Sequence, residues 1–139
     1  MQIKTEDIRN GGHVGEVVWI CHYNRPDLNK KALRNIPPTK VIVVSNKDLP
    51  SGKSIYYSEN HFSPIGKNGS PTAKIISPVD NTGFRSHIGN ELFVFTDENE
   101  CFLTWNSQIQ ECCDRIEVEI QNATKVWELE KNKVEGLKV

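Results

Sequence analysis

The sequence predicts an α+β fold, in which a small antiparallel β-barrel or meander of the SH3-like kind is followed by one long C-terminal α-helix. Two observations predict this order. All seven prolines and eight of the nine glycines lie within residues 1–90, between short segments rich in β-branched and aromatic residues. From residue 97 onward, apolar residues recur every three or four positions without a proline. The length of 139 residues fits one domain, with residues 14–95 as the barrel and residues 97–134 as an acidic amphipathic helix.

Five segments are predicted as strands, because β-branched or aromatic residues are frequent in them and turn residues separate them. The third segment follows the turn at residues 46–52 and is expected to pair with the second as a hairpin. The long connections at residues 24–38 and 78–90 are expected to be exposed loops that can carry function. The predicted strands are residues 14–23, 39–45, 54–58, 72–77 and 92–95.

The C-terminal helix is predicted to begin after Thr96 or Asp97, because either side chain can cap a helix N-terminus. Its apolar stripe covers about 35 residues, on the order of 50 Å, which is longer than a small barrel. The helix is therefore expected either to bend back near residues 121–124 or to bind a partner with its distal half, including a second copy in a coiled coil. The predicted interaction residues on this half are Ile120, Ala123, Trp127 and Val134.

The net charge of −1 is the sum of two parts with opposite charge. Residues 1–90 contain twelve basic and seven acidic side chains, a difference of +5, and residues 91–139 contain five basic and eleven acidic ones, a difference of −6. These totals exclude a protein that binds nucleic acid simply by being basic overall. The favoured interpretation is that the helix and the barrel neutralise one another.

Two loops hold the residues best suited to binding. The first combines an aromatic ring with four cations. The favoured interpretation is a solvated loop with local salt bridges, and the alternative is contact with phosphates or an acidic protein surface. In the second, an apolar and a basic residue follow the turn at residues 80–83. The favoured interpretation there is that Phe84 fills the barrel while Arg85 pairs with a backbone carbonyl or with an acid of the helix, and a binding role is the alternative. The candidate binding residues are Tyr23, Arg25, Lys30, Lys31, Arg34, Phe84 and Arg85.

No motif predicts a reaction, a metal site or a cofactor. The four cysteines have no Cys-x-x-Cys spacing and are expected to be reduced thiols, and the four histidines are scattered. Cys21 and His22 are adjacent in a predicted strand and would face opposite sides, which disfavours a Cys–His nucleophile. The polar N-terminus and the lack of a long apolar segment predict a cytoplasmic protein without a membrane segment. We therefore predict a protein that is not an enzyme.

Six motifs follow one another along the chain: Val17-Val18-Trp19, residues 23–34, residues 37–43, residues 56–62, residues 80–85 and the Trp105-Asn106-x-x-Ile109 start of the acidic helix. Their order resembles that of small accessory proteins of T-even-type bacteriophages. The resemblance extends from about Val14 to the end of the helix, and it implies a protein made in the cytoplasm of an infected bacterium. It implies no catalytic residue, and it favours binding to a bacterial host protein or to another phage protein. The alternative hypothesis is a single-stranded nucleic-acid or RNA-binding module that uses residues 23–34.

Overall fold

The computed structural model of the chain describes residues 1–23, 35–49, 58–78 and 92–139. They form two compact units, Met1–Asn106 and Ser107–Val139. The predicted α+β class is confirmed, since an antiparallel sheet is followed by a long helix. The sheet is open, and the SH3-like barrel stays a prediction. The elements are β1 (Gln2–Ile3), α1 (Thr5–Arg9), β2 (Val17–His22), β3 (Ile36–Ser45), a 3-10 turn (Asn46–Asp48), β4 (Asn60–Pro64), β5 (Phe93–Phe95) and α2 (Glu98–Glu135).

The five strands are ordered β1-β5-β2-β3-β4, and each neighbouring pair is antiparallel. In this register the central strand β2 aligns Val18 with Val41 of β3 and Ile20 with Val94 of β5. Because successive side chains of a strand point to opposite faces, these four residues share one face of the sheet. The intervening residues of β2 therefore lie on the other face, and the sheet is covered on both sides.

The main core lies on the face that contains Val18 and Ile20. The short helix α1 contributes Ile8, and β4 contributes Phe62, and both side chains are fully buried. Burial of one such side chain stabilises the fold by about 1.5–3 kcal/mol. The residues of this core are Ile3, Ile8, Val18, Ile20, Val41, Val43, Phe62, Ile76, Leu92 and Val94.

A smaller core lies on the opposite face, where the first turns of α2 pack. It contains Cys21 of β2, Phe95 of β5 and Cys101 of α2, with Trp19, Phe93 and Trp105 packed against them. The helix start is fixed by Asp97, whose Oδ1 accepts a hydrogen bond of 3.1 Å from the Asn99 backbone N–H. Of the two predicted caps, Asp97 is confirmed.

Three elements were not predicted, namely β1, α1 and β4. The β4 sequence Asn-His-Phe-Ser-Pro has no β-branched residue and gives almost no strand signal. Its extended conformation comes from pairing along β3, where Phe62 aligns with Val43. Likewise, β1 has only two residues and is held by β5, with Gln2 opposite Phe95. These strands depend on long-range pairing, which local sequence does not report.

Two of the predicted strands are not found among the strands of the described residues. The segment at residues 72–77 is not a regular strand, and this region makes isolated bridges to β4 and its end, between Ile76 and Phe62 and between Pro71 and Ile65. Thr72 donates its backbone N–H to the Pro64 carbonyl, whereas Ile76 pairs with Phe62. Four steps along this segment therefore match two steps along β4, and a regular ladder does not form. The predicted strand at residues 54–58 lies outside the described residues, apart from Ser58.

Candidate protein-binding surfaces

Two aromatic contacts position the first turns of α2 on the sheet. The ring of Trp19 lies 6.1 Å from that of Phe102 between centroids, with planes at 50°. The ring of Tyr23 meets that of Trp105 edge to face, at 5.6 Å and 89°. Such pairs stabilise the packing beyond the area that they bury. Phe102 remains 43% exposed, so one aromatic side chain of this group is accessible at the surface.

Of the predicted loop residues, the structure describes Tyr23 alone. Its ring is in contact with Trp105, so the edge-to-face pair occupies part of the surface that would stack on a ligand. The remaining candidates, Arg25, Lys30, Lys31, Arg34, Phe84 and Arg85, lie outside the described residues. Their roles stay predictions.

The buried thiols Cys21 and Cys101 form a pair in the smaller core. The Cys21 Sγ donates a hydrogen bond to the backbone carbonyl of Cys101 over 3.6 Å. The side-chain hydrogen bond with Cys21, together with burial, raises the pKa of the Cys101 thiol. A thiol held in its neutral form is a poor nucleophile.

Metal-ligating side chains are not clustered in the described part of the chain. No group of three or more His, Cys, Asp or Glu residues there has an arrangement that could hold a metal ion. His13 lies 2.7 Å from Glu16 between Nδ1 and Oε2, and His61 lies 2.6 Å from Asn46 between Nδ1 and Oδ1. These two histidines therefore make local side-chain hydrogen bonds.

The distal part of α2 carries the predicted interaction residues, and their side chains are exposed. Ile120, Ala123 and Trp127 line one shallow groove on the helix surface, and Trp127 is 73% exposed. Val134 is also exposed and lies beyond this groove. Sequence reasoning missed the polar residues of the groove, although their positions next to the stripe could have identified them. They are Thr124, Glu128 and Lys131.

Polar side chains of distal α2 make contacts with one another within the helix. Glu130 pairs with Lys133 at 3.3 Å, and Lys131 approaches Glu135 at 3.8 Å. The Thr124 hydroxyl donates a hydrogen bond of 2.9 Å to the Ile120 carbonyl. Exposed ion pairs of this kind contribute about 0.3–0.5 kcal/mol each. These polar side chains are thus suited to water, and the exposed apolar side chains of the groove are suited to contact with a partner.

Neither α1 nor α2, the helices of the described ranges, combines the length and the apolar character needed to cross a lipid bilayer. Comparison of the chain with protein-family models, with curated proteins and with solved structures finds no match.

Proposed function

We propose that the chain is a non-enzymatic phage accessory protein that binds a bacterial host protein or another phage protein. We further propose that it binds through the apolar stripe on distal α2, formed by Ile116, Ile120, Ala123, Trp127 and Val134. One observation carries the proposal, namely that the large side chains of this stripe are exposed to solvent. The finer form of the sheet, an SH3-like barrel, and a location in the cytoplasm of the infected cell belong to the same proposal.

The spacing of the stripe favours a protein as the ligand. Ile120, Ala123 and Trp127 follow one another at intervals of three and four residues, the pattern with which an amphipathic helix binds an apolar surface. Tryptophan is also enriched among the residues that contribute most to protein–protein affinity. Exposed apolar side chains bordered by charged ones are typical of such binding sites.

The charge around the stripe disfavours nucleic acid as its ligand. Residues 116–134 contain four acidic and three basic side chains, so the stripe has no excess of positive charge that would attract phosphate groups. The alternative hypothesis of a single-stranded nucleic-acid or RNA-binding module depends on residues 23–34, of which the structure describes Tyr23. The stripe therefore supports protein binding more directly.

Site-specific photo-crosslinking in infected bacteria tests the proposal. A photoreactive amino acid is placed at Trp127, and a second version carries it at Leu129, which is 62% exposed but lies off the stripe. We expect a defined partner to be crosslinked from position 127 and not from position 129. The identified partner is then purified, and its binding to the chain is measured by calorimetry.

The binding measurement decides the outcome. We expect a stoichiometric complex that Trp127→Ala weakens by about tenfold or more and that Leu129→Ala leaves within about twofold. If no other protein binds, or if both variants bind equally, the stripe does not perform this function. Turnover of a metabolite by the pure protein would contradict the non-enzymatic part of the proposal.

A further inference from the structure

The exposed stripe of distal α2 follows a heptad repeat, the pattern of a coiled coil. The seam positions alternate at spacings of three and four, an average period of 3.5 residues, and all of them except Glu130 are apolar. In the usual lettering, Ile120 and Trp127 are a positions, and Ala123 is a d position. The side chains between residues 113 and 134 that occupy this seam are all exposed. They are Cys113, Ile116, Ile120, Ala123, Trp127, Glu130 and Val134.

The groove on this helix has the composition of a coiled-coil hole. Four of its six lining residues, Ile120, Ala123, Thr124 and Trp127, occupy positions i, i+3, i+4 and i+7, and Glu128 and Lys131 extend the groove beyond them. In knobs-into-holes packing, four residues at this spacing surround one side chain of the facing helix. The small Ala123 lies at the centre of the four, so the hole has room for a large knob. The one large aromatic side chain of the seam is Trp127.

We propose that the stripe pairs with the same stripe of a second copy in an antiparallel two-stranded coiled coil. In this dimer, Trp127 of each copy enters the hole around Ala123 of the other. The inference starts from the same exposed stripe as the proposed function and goes beyond it. It names a second copy as an occupant of this stripe, and it gives the direction of pairing and the register.

The register follows from placing Trp127 level with Ala123 of the second copy. In an antiparallel pair, each step forward along one helix is a step backward along the other. Ile120 then faces Glu130 of the second copy, and Ile116 faces Val134. The two-fold symmetry repeats each layer, so every seam residue from 116 to 134 has a facing residue. The two glutamates at position 130 lie in separate layers.

Charge complementarity supports this direction. Residues 107–123 carry four acids and one base, whereas residues 124–139 carry four lysines and three glutamates. The register brings the e positions Glu117 and Lys131 of opposite copies together, and likewise the g positions Glu119 and Lys133. Opposite charges at these flanking positions favour one helix orientation over the other. The apolar Val126 faces its own copy across the two-fold axis.

A parallel pair lacks these advantages. It would place Trp127 against Trp127 and Glu130 against Glu130 in the seam, and like charges that face each other in a core are destabilising. It would also bring neither Glu117 nor Glu119 next to a lysine. Antiparallel pairing replaces these contacts with a large residue on a small one and with four ion pairs per dimer.

Analytical ultracentrifugation of the full chain over about 1 µM to 1 mM tests the association. We expect a reversible monomer–dimer equilibrium, and we expect Trp127→Ala to raise its dissociation constant by about tenfold or more. Leu129→Ala is the matched control, since this side chain is exposed but off the seam, and it should change the constant by less than about twofold. A chain that is monomeric throughout the range overturns the inference.

Disulfide trapping tests the orientation. In a Cys113→Ser background, Ile116→Cys and Val134→Cys are combined, and the protein is oxidised. On one helix these positions are about 27 Å apart, so a disulfide cannot form within a chain. Antiparallel pairing predicts a covalent dimer from the double variant and none from either single variant. A covalent dimer from Ile116→Cys alone indicates parallel pairing and overturns the inference.

Charge reversal tests the register without changing the seam. Glu117→Lys opposes Lys131 of the second copy and should weaken association several-fold at low salt, and adding Lys131→Glu should restore it. If the second change does not restore association, the register is wrong. The outcomes also separate the two proposals. A monomeric chain that binds another protein through Trp127 contradicts the inference alone, and a dimeric chain that binds no other protein contradicts the proposed function alone.

Discussion

The ring of Tyr23 meets that of Trp105 edge to face, with centroids 5.6 Å apart and planes at 89°. Tyr23 follows β2, and Trp105 lies in the first turns of α2, so the contact ties the helix start to the sheet. Tyr23 was predicted from the sequence to contact a ligand. In the structure the Tyr23 ring packs against Trp105, so a ligand would have to bind a ring that already makes this contact.

This aromatic pair leads to a prediction of coupled stability. Trp105→Ala and Tyr23→Ala should each lower the free energy of unfolding, and the double variant should lose less than the sum, with a coupling of about 0.5–1.5 kcal/mol. Urea unfolding followed by circular dichroism provides the three values. A pair of Leu103→Ala and Tyr23→Ala is the control, since Leu103 is exposed. If the losses in the free energy of unfolding caused by the Tyr23 and Trp105 substitutions add strictly, the contact contributes nothing to stability.

The main core predicts that a substitution in β4 lowers the free energy of unfolding strongly. Phe62 is fully buried, although its strand has almost no strand signal of its own. Phe62→Ala should lower the free energy of unfolding by about 3–5 kcal/mol, because it removes apolar contacts and leaves a cavity. The exposed Val118→Ala should stay within about 0.5 kcal/mol of the parent chain in the same urea titration. Equal losses in both variants would mean that Phe62 is not a core residue.

His61 predicts a pH dependence of stability. Its side chain is buried, and this burial lowers its pKa in the folded state. The unfolded chain therefore takes up the proton at a higher pH than the folded chain does. The stability that comes from neutral His61 is complete above about pH 6.5, and it is lost as the pH falls toward the folded-state pKa.

Thermal unfolding between about pH 8 and pH 5 measures this effect. We expect the midpoint to fall on acidification, and His61→Gln should make the midpoint of that variant less sensitive to pH. The control is His13→Asn, because His13 is less buried and its positive φ of 67° is tolerated by asparagine. The assignment fails if the midpoint of His61→Gln depends on pH as steeply as that of the parent.

The four thiols should differ in reactivity. Cys113 is exposed, whereas Cys21, Cys101 and Cys112 are buried. We expect one thiol per folded chain to react rapidly with a disulfide reagent at low protein concentration, and all four to react in denaturant. Cys113→Ser should abolish the rapid phase. A rapid phase that survives this substitution would place a second thiol at the surface.

Local sequence predicted the elements that have a strong apolar period or many β-branched residues within their own length. The apolar period predicted α2 at residues 97–134, and the structure places it at Glu98–Glu135. Dense β-branched residues likewise predicted β2 and β3. In contrast, β1 and β4 are extended because their neighbours pair with them, and the short helix α1 is held by the burial of Ile8. Such long-range contacts leave little trace in local composition.

The sequence by itself determined the order of the fold, a β-rich part followed by a helix, and the spacing of the stripe, because both depend on periodicity within short segments. Only the tertiary structure decided which apolar residues are covered. Trp105 packs against the smaller core, whereas Trp127 is largely exposed, although both belong to one apolar pattern. Periodicity determines the face on which a side chain lies, and burial depends on whether another element reaches that face.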